Sequence, residues 1–445
     1  MRIIQITPGA GTNFYCENCL RDNALVLELR RRGHDALMVP MYLPLVTEGP
    51  DATAGVPIFF GGINVYLQQK LALFRHTPRW LDRLLDARGL LKWASRRAEM
   101  TKAKDLGEAT LSMLRGEHGL QVKELDRLVA WLAVQDRPDV ICLSNALLAG
   151  LARRIKAALG VPVVSMLQDE DGFLDALPEP YRREAWQVLA GRAAEIDGFL
   201  AVSRYYGGVM QRRLNLAPER VHTVHPGIVL EEFAPAPSPP AAPAIGYLAQ
   251  VRRAMGLDTL VEAFLAIRAG GRAPGVRLRI AGGHTPGDKP FIEEVRRRLA
   301  AAGAAGDVEW LPIPDRKTKP EFLRSLSVLA VPARGETAFG IFVLEALASG
   351  VPVVEPRAGA FPEILEATGG GILVEPQSAE ALAAAIEHLL ANPAEARRLA
   401  EQGRQAVAGE FGIEQMARKV TDVFDSLLKS MISRQPVSHT PGNDE

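Results

Sequence analysis

Residues 328–363 read VLAVPARGETAFGIFVLEALASGVPVVEPRAGAFPE, and this stretch constrains the fold most. Val328–Pro332 is a short apolar run of the kind that forms a buried parallel strand. A loop with Gly335, Glu336 and Thr337 follows. Ile341 to Ser349 predicts a helix, with Phe342, Leu344 and Leu347 among its apolar positions. Gly350 stops it, because glycine takes the left-handed conformation without steric cost. Val351–Val354 predicts the next strand. The result is one βαβ unit whose loop lies at the carboxyl end of its first strand. In open parallel sheets ligands sit there. A helix N-terminus at that place offers unpaired N–H groups and the positive end of a dipole, both suited to phosphate.

The 445 residues exceed one core, so two domains are expected. The apolar fraction of 47% and charged fraction of 23% are those of a soluble globular chain. With 52 basic and 52 acidic residues the formal charge is zero, which argues against nucleic acid as a partner. No apolar run approaches the ~20 residues needed to span a bilayer. The N-terminal MRIIQITPGAG reads as a strand rather than a signal peptide. Three cysteines, Cys16, Cys19 and Cys142, make no disulfide scaffold, and a cytoplasmic location is expected.

In chain order, Arg2–Thr7 predicts a strand. Gly9-Ala10-Gly11 follows as a flexible turn where backbone can approach a ligand. Leu20–Arg32 predicts a helix ended by Gly33, and Leu37–Val39 opens the next strand. Cys16 and Cys19 sit between the turn and that helix. As a zinc site they lack a second ligand pair. As a redox pair they sit correctly after a strand but lack thioredoxin-like surroundings. Structural or ligand-loop residues are the favoured reading. Gly61, Gly62 and Asn64 form a second glycine loop that fits either a tight turn or an acceptor-side contact. Residues 78–135 predict a helical insert, its basic face solvated or turned to an acceptor or a membrane surface. Val140–Ser144 and Pro162–Leu167 are further strands. After the second come Gln168, Asp169, Glu170 and Asp171, polar residues at a strand's carboxyl end. They read either as a capping loop or as groups that hold acceptor hydroxyls and take a proton. Phe199–Val202 and Val221–Val224 complete a first domain over residues 1–230. His222 and His225 flank that last strand and make no metal site.

Pro235–Pro243 (PAPSPPAAP) reads as a linker spanning 231–243, because proline cannot join a sheet interior. A second βαβ series then runs over 244–412, through strands Ala244–Leu248, Val276–Ala281 and Val308–Leu311 and the helix Lys317–Ser325. Helices Ala379–Leu390, Pro393–Phe411 and Ile413–Met431 follow. Residues 432–445 read as a frayed tail.

Four blocks in order, Phe339-Gly340, Leu344-Glu345-Ala346, Gly350-Val351-Pro352-Val353-Val354 and Phe361-Pro362-Glu363, resemble the donor site of GT-B glycosyltransferases, in particular the large retaining family 4. The resemblance extends more weakly from Arg2 to about Leu428. It implies an α/β GT-B fold, with two Rossmann-like domains facing each other across a cleft and the helix 413–431 returning to the first domain. It implies transfer of a sugar from a UDP-, GDP- or ADP-sugar to a carbohydrate or lipid-linked acceptor hydroxyl, with retention. No cofactor beyond that donor and no metal is implied; a peripheral membrane contact is compatible with it. It assigns donor contacts to Glu345 (ribose), to Glu336, Thr337 and Gly340 (sugar and phosphate) and to Gly9 and Gly11. It gives Glu336 a catalytic role. Many relatives place a histidine near Gln168; glutamine cannot act as a base but can donate and accept hydrogen bonds. Gln168 and Asp169 are the further catalytic candidates.

Two departures stand out. The family's Arg and Lys for the diphosphate are replaced by Gln250 and Met255, which leaves Arg252 and Arg253 between them as candidates. Glu336 lies nine residues from Glu345 where the family spacing is eight, so Thr337 takes the expected place. Three alternatives stay open: a binder of nucleotide or glycan without transfer, to which these departures give substance; a GT-B relative with another reaction, such as a nucleotide-sugar epimerase or a sugar phosphorylase; and a non-enzymatic assembly protein, suggested by the helical insert alone.

Overall fold

The computed structural model describes residues 1–9, 17–45, 49–53, 55–60, 103–335 and 337–434. The chain divides into two compact units, each a parallel sheet clothed in helices. The first unit holds Met1–Ala201, Gly207–Val224 and the chain from Met416. The second holds Val202–Tyr206 and His225–Gln415.

The first unit runs β1 (Arg2–Thr7), α1 (Glu17–Arg31), β2 (Asp35–Pro40), α2 (Ala103–Arg115), α3 (Val122–Ala133), β3 (Val140–Leu143), α4 (Ala152–Leu159), β4 (Val163–Leu167), α5 (Glu170–Asp175), α6 (Tyr181–Ala193), β5 (Gly198–Ala201), α7 (Arg204–Leu214, in this unit from Gly207) and β6 (Val221–Thr223). Its sheet order is β2-β1-β3-β4-β5-β6, all parallel. Ile4 pairs with Leu37 on one side and Ile141 on the other. Ile3, Ile4, Ile6, Val140, Ile141 and Leu143 are buried, as strands covered on both faces must be. Each such side chain contributes about 1.5–3 kcal/mol by leaving water.

The second unit runs β7 (Ala244–Leu248), α8 (Leu257–Gly270), β8 (Arg277–Ala281), α9 (Lys289–Ala301), β9 (Val308–Leu311), α10 (Thr318–Arg324), β10 (Val328–Ala330), α11 (Ile341–Ala348), β11 (Val353–Pro356), α12 (Phe361–Thr368), β12 (Gly371–Val374), α13 (Ala379–Ala391) and α14 (Pro393–Glu410). A last helix, α15, spans Ile413–Arg434. The sheet order is β12-β11-β10-β7-β8-β9, again all parallel. The expected βαβ unit at 328–363 is present as β10-α11-β11. Its second strand begins two residues later than the apolar run suggested. The helix expected at Leu20–Arg32 begins earlier, at Glu17.

The boundary differs from the proline-rich linker expected at 231–243. The units part between Val224 and His225, and Pro235–Pro243 belongs to the second unit. Pro235 lies against Gly350, where a Cβ would stand 3.0 Å from the proline Cβ. Proline forbids a sheet interior but not packing beside one, and composition alone does not separate the two. The described part of the expected insert, α2 and α3, buries Leu111, Leu114, Leu125, Leu128 and Leu132 and so is integral to the first unit. From Met416 α15 groups with the first unit. It continues past the expected end at 431 to Arg434; residues 435–445 lie outside the described residues. No helix among the described residues is long and apolar enough to cross a membrane.

Candidate functional site

In each sheet the strand order reverses once, between β1 and β3 and between β7 and β10. Loops leaving the carboxyl ends at such a point diverge and open a crevice.

In the second unit the two loops are stitched together. Gly256 takes φ 72°, and a Cβ there would stand 1.8 Å from the Pro332 carbonyl oxygen, so only glycine allows the approach. The Arg334 amide donates to the Ala254 carbonyl at 2.8 Å, and the Arg334 guanidinium to Asp258 at 2.5 Å. Arg253 is also committed here. It donates to Asp258 at 3.1 Å, pairs with Glu294 and lies 4.8 Å over the Phe291 ring. As a diphosphate ligand Arg253 is therefore disfavoured, since its donors already hold the loop. Arg252 is exposed, and its guanidinium has no hydrogen bond or ion pair among the described residues. Neither Gln250 nor Met255 supplies a cation.

Beneath these loops lies Glu355, at the end of β11 and fully buried. Its Oε1 accepts from the Val331 amide at 3.3 Å, at the point where the chain leaves β10; its Oε2 has no partner. Burial pushes its carboxyl well above the usual range, against a weaker lowering by the Val331 amide.

The loop from β10 to α11 carries most of the expected donor contacts. Glu336 lies outside the described residues. The Thr337 carbonyl accepts from the Ala360 amide at 3.0 Å. Ser203 Oγ donates to the Ala338 carbonyl at 2.7 Å. Gly340 caps α11 at φ 99°, and its carbonyl accepts from the Val343 amide at 3.1 Å; the first amides of a helix otherwise lack intrahelical partners. Phe339 stacks on His225 with ring centres 5.9 Å apart. His225 Nε2 bonds Glu363 at 2.7 Å, and Glu363 also accepts from the Arg204 and Tyr205 amides at 3.0 and 3.1 Å. Burial alone would raise the Glu363 pKa, but the His225 bond and the two amides hold it below the ordinary carboxylate value. Glu363 stands in the recognised motif, yet its role as a clamp on this loop was not legible. Its partners lie 138 to 159 positions away.

Glu345 lies on α11 and is 6% exposed. Its Oε1 accepts from Lys319 Nζ on α10 at 2.7 Å. Beside the pair Glu232 bonds Arg316 at 2.6 Å. Burial raises the Glu232 pKa, an effect opposed by Arg316 and Lys319. No local pattern marked Lys319, because its carboxylate partner is 26 residues on.

The first unit's switch point is built differently. Gln168 is buried; its Nε2 donates to the Ser144 carbonyl at 2.5 Å and its amide to Glu170 at 2.7 Å. Glu170 also takes the Ala146 amide at 3.0 Å, so it laces the exits of β3 and β4 together. Asp169 adopts φ 71°. Gln168 and Glu170 thus tie the strand exits together, and Gln168 Oε1 is buried with no hydrogen bond among the described residues. Deeper in, Gln5 Nε2 donates to Asp22 at 3.2 Å; burial raises the Asp22 pKa, against the nearby Arg21. Gly9, at φ 85°, is set by the backbone: a Cβ there would stand 1.9 Å from the Leu43 carbonyl oxygen. Cys19 and Cys142 are both buried. Cys16, Gly11, Gly61, Gly62 and Asn64 lie outside the described residues.

Comparison with known proteins agrees with this architecture. HepE of Anabaena, solved in complex with UDP, superposes with a TM-score of 0.68 at 15% identity, covering 96% of this chain and 100% of that one. Sucrose-phosphate synthase of Thermosynechococcus elongatus gives 0.69 at 17% identity, covering 97% and 100%. The fold is therefore the two-domain α/β fold of GT-B glycosyltransferases. Residues 230–406 match the family described as glycosyl transferases group 1, and residues 108–232 match glycosyltransferase family 4. The chain belongs to these group 1 GT-B glycosyltransferases. It is 28% identical over 289 residues to D-inositol 3-phosphate glycosyltransferase 1 of Catenulispora acidiphila, covering 61% of this chain and 66% of that protein. It is 30% identical over 194 residues to a lipopolysaccharide core biosynthesis mannosyltransferase of Rhizobium meliloti, covering 43% and 53%. The chain thus spans less than two thirds of the length of these curated relatives.

Proposed function

We propose that this protein transfers a sugar from a nucleoside diphosphate donor to an acceptor hydroxyl, with retention of anomeric configuration. The observation that carries the reading is the second unit's switch point, where Glu345, the Gly340 helix terminus and Arg252 sit on the segment that matches the group 1 family. Glu345 takes the ribose hydroxyls. The N–H groups after Gly340 and the Arg252 guanidinium neutralise the diphosphate as it leaves. Catalysis on this account is positioning plus stabilisation of leaving-group charge, with no cofactor beyond the nucleotide sugar. That relatives are named for inositol phosphate and lipopolysaccharide core points to a polyol or glycan acceptor.

The test incubates the protein with UDP-, GDP- and ADP-sugars and candidate acceptors. Release of nucleoside diphosphate is followed, and the product's anomeric configuration is read by NMR. Acceptor-dependent release with retained configuration is expected; inversion or acceptor-independent epimerisation would contradict the proposal. A second reading, a binder without transfer, is favoured by Gln250, Met255 and the committed Arg253. It predicts nucleotide binding with no release under any acceptor.

A further inference from the structure

The Lys319–Glu345 pair asks for an explanation that stability does not give. Lys319 stands in the first turn of α10, whose start is pinned by Asp315 accepting from the Lys317 and Thr318 amides at 3.0 and 2.8 Å. A cation in the first turn faces the positive end of the helix dipole, which is unfavourable. The pair it forms is largely buried, with side chains 14% and 9% exposed. Buried ion pairs rarely stabilise a fold beyond what apolar residues of the same size would supply. The neighbouring charges, Glu232 and Arg316, already satisfy each other. What the pair does achieve is orientation. Oε1 of Glu345 is held by the ammonium, while Oε2 takes no hydrogen bond among the described residues. A carboxylate fixed by one oxygen presents the other as a directed acceptor. A sugar hydroxyl, an O–H donor, is a group such an acceptor can receive.

We propose that Lys319 is a positioning residue of the nucleotide site, holding Glu345 so that its Oε2 receives the ribose diol of the donor and makes the site select ribonucleotides over deoxyribonucleotides. This rests on the reading of Glu345 as the ribose ligand. It adds that selectivity is carried by a lysine on a different helix.

The experiment is calorimetric titration of the tightest binder among UDP, GDP and ADP, alongside its 2′,3′-dideoxy form. The proteins are the wild type, Lys319→Met and Lys319→Arg, each checked for an unchanged cooperative melt. The wild type should prefer the ribose form. Lys319→Met should bind that form about tenfold more weakly, the scale of one charge-assisted hydrogen bond, with the dideoxy form unaffected. Lys319→Arg should restore most of the preference. Unchanged ribose-form affinity in Lys319→Met overturns the proposal, and so does an equal loss for both forms. If Lys319→Met does not fold, Lys319→Arg decides: a ribose preference kept near that of the wild type agrees with the proposal, and an equal loss for both forms overturns it. A wild type that binds none of the nucleotides overturns the donor-site reading itself, and this inference with it. A wild type that binds both forms equally leaves donor binding standing and removes the ribose role.

Discussion

The two units have the same plan and opposite chemistry at the same place. Each is a six-stranded parallel sheet with one reversal of strand order. At the first reversal polar side chains tie the strand exits, Gln168 to Ser144, Glu170 to the Gln168 and Ala146 amides and Gln5 to Asp22, while Gln168 Oε1 and Asp22 Oδ1 stay buried with no hydrogen bond among the described residues. At the second the strand ends are tied by backbone and by Arg334–Asp258, which leaves Arg252 and Glu345 Oε2 without protein partners among the described residues. A switch point is thus a place where a site can form. Whether one does depends on where the loops' hydrogen-bonding capacity is directed.

The difference can be broken most severely at Glu345. Glu345→Ala should weaken nucleoside diphosphate binding by about a hundredfold, since a buried carboxylate contact is worth ~3 kcal/mol. Nucleotide titration with the melt as a control checks this, and an affinity within a factor of two of wild type would remove Glu345 from the site. Its counterpart is Glu170→Ala, which leaves two buried amides unsatisfied. It should lower stability by about 2–3 kcal/mol in a denaturant melt. Nucleotide affinity of the folded protein should not change; a large affinity loss without a stability loss would make the first switch point a ligand site after all.

The arginines give a smaller contrast. Arg252→Ala should weaken diphosphate binding about tenfold. Arg253→Ala should act mainly on stability, because Asp258, Glu294 and Phe291 already hold that side chain. The reverse ranking by titration would mean that Arg253 leaves those partners when the donor arrives.

A test of a different kind concerns Glu355, whose carboxyl is held by burial well above the ordinary carboxylate range. A raised carboxyl contributes stability below the unfolded pKa and loses it as pH rises toward the folded one. The slope is about 1.4 kcal/mol per pH unit for one proton. Glu355→Gln keeps the acceptor for Val331 and cannot ionise. Its stability relative to wild type should therefore grow as pH rises from 4 to 7. A pH-independent difference in melting temperature would show that Glu355 is ionised in the fold.

Much of this was legible in the chain. Parallel strands announce themselves as short apolar runs, because both faces are covered, and Gly350 ended its helix as glycine does, at φ 73°. Glu345 and Gly340 were named by the resemblance to the family's donor site, whose blocks lie close together in the chain. What could not be read was partnership across the chain. Arg253 and Arg252 are neighbours in sequence and differ in role only because Asp258, Glu294 and Phe291 surround one of them. The bond from Gln168 to Ser144, 24 positions back, was not legible either. The proline run 235–243 marked the end of sheet pairing correctly, but not which body it packs on.

The central claim is that the donor nucleotide binds at the second switch point and not the first. Hydrogen–deuterium exchange, with and without the tightest-binding nucleoside diphosphate, tests it directly. The account predicts slowed exchange in peptides covering 249–258 and 337–348, with 144–147 and 168–172 unchanged. Protection confined to the first unit's segments, or none in either with nucleotide saturating, would contradict it.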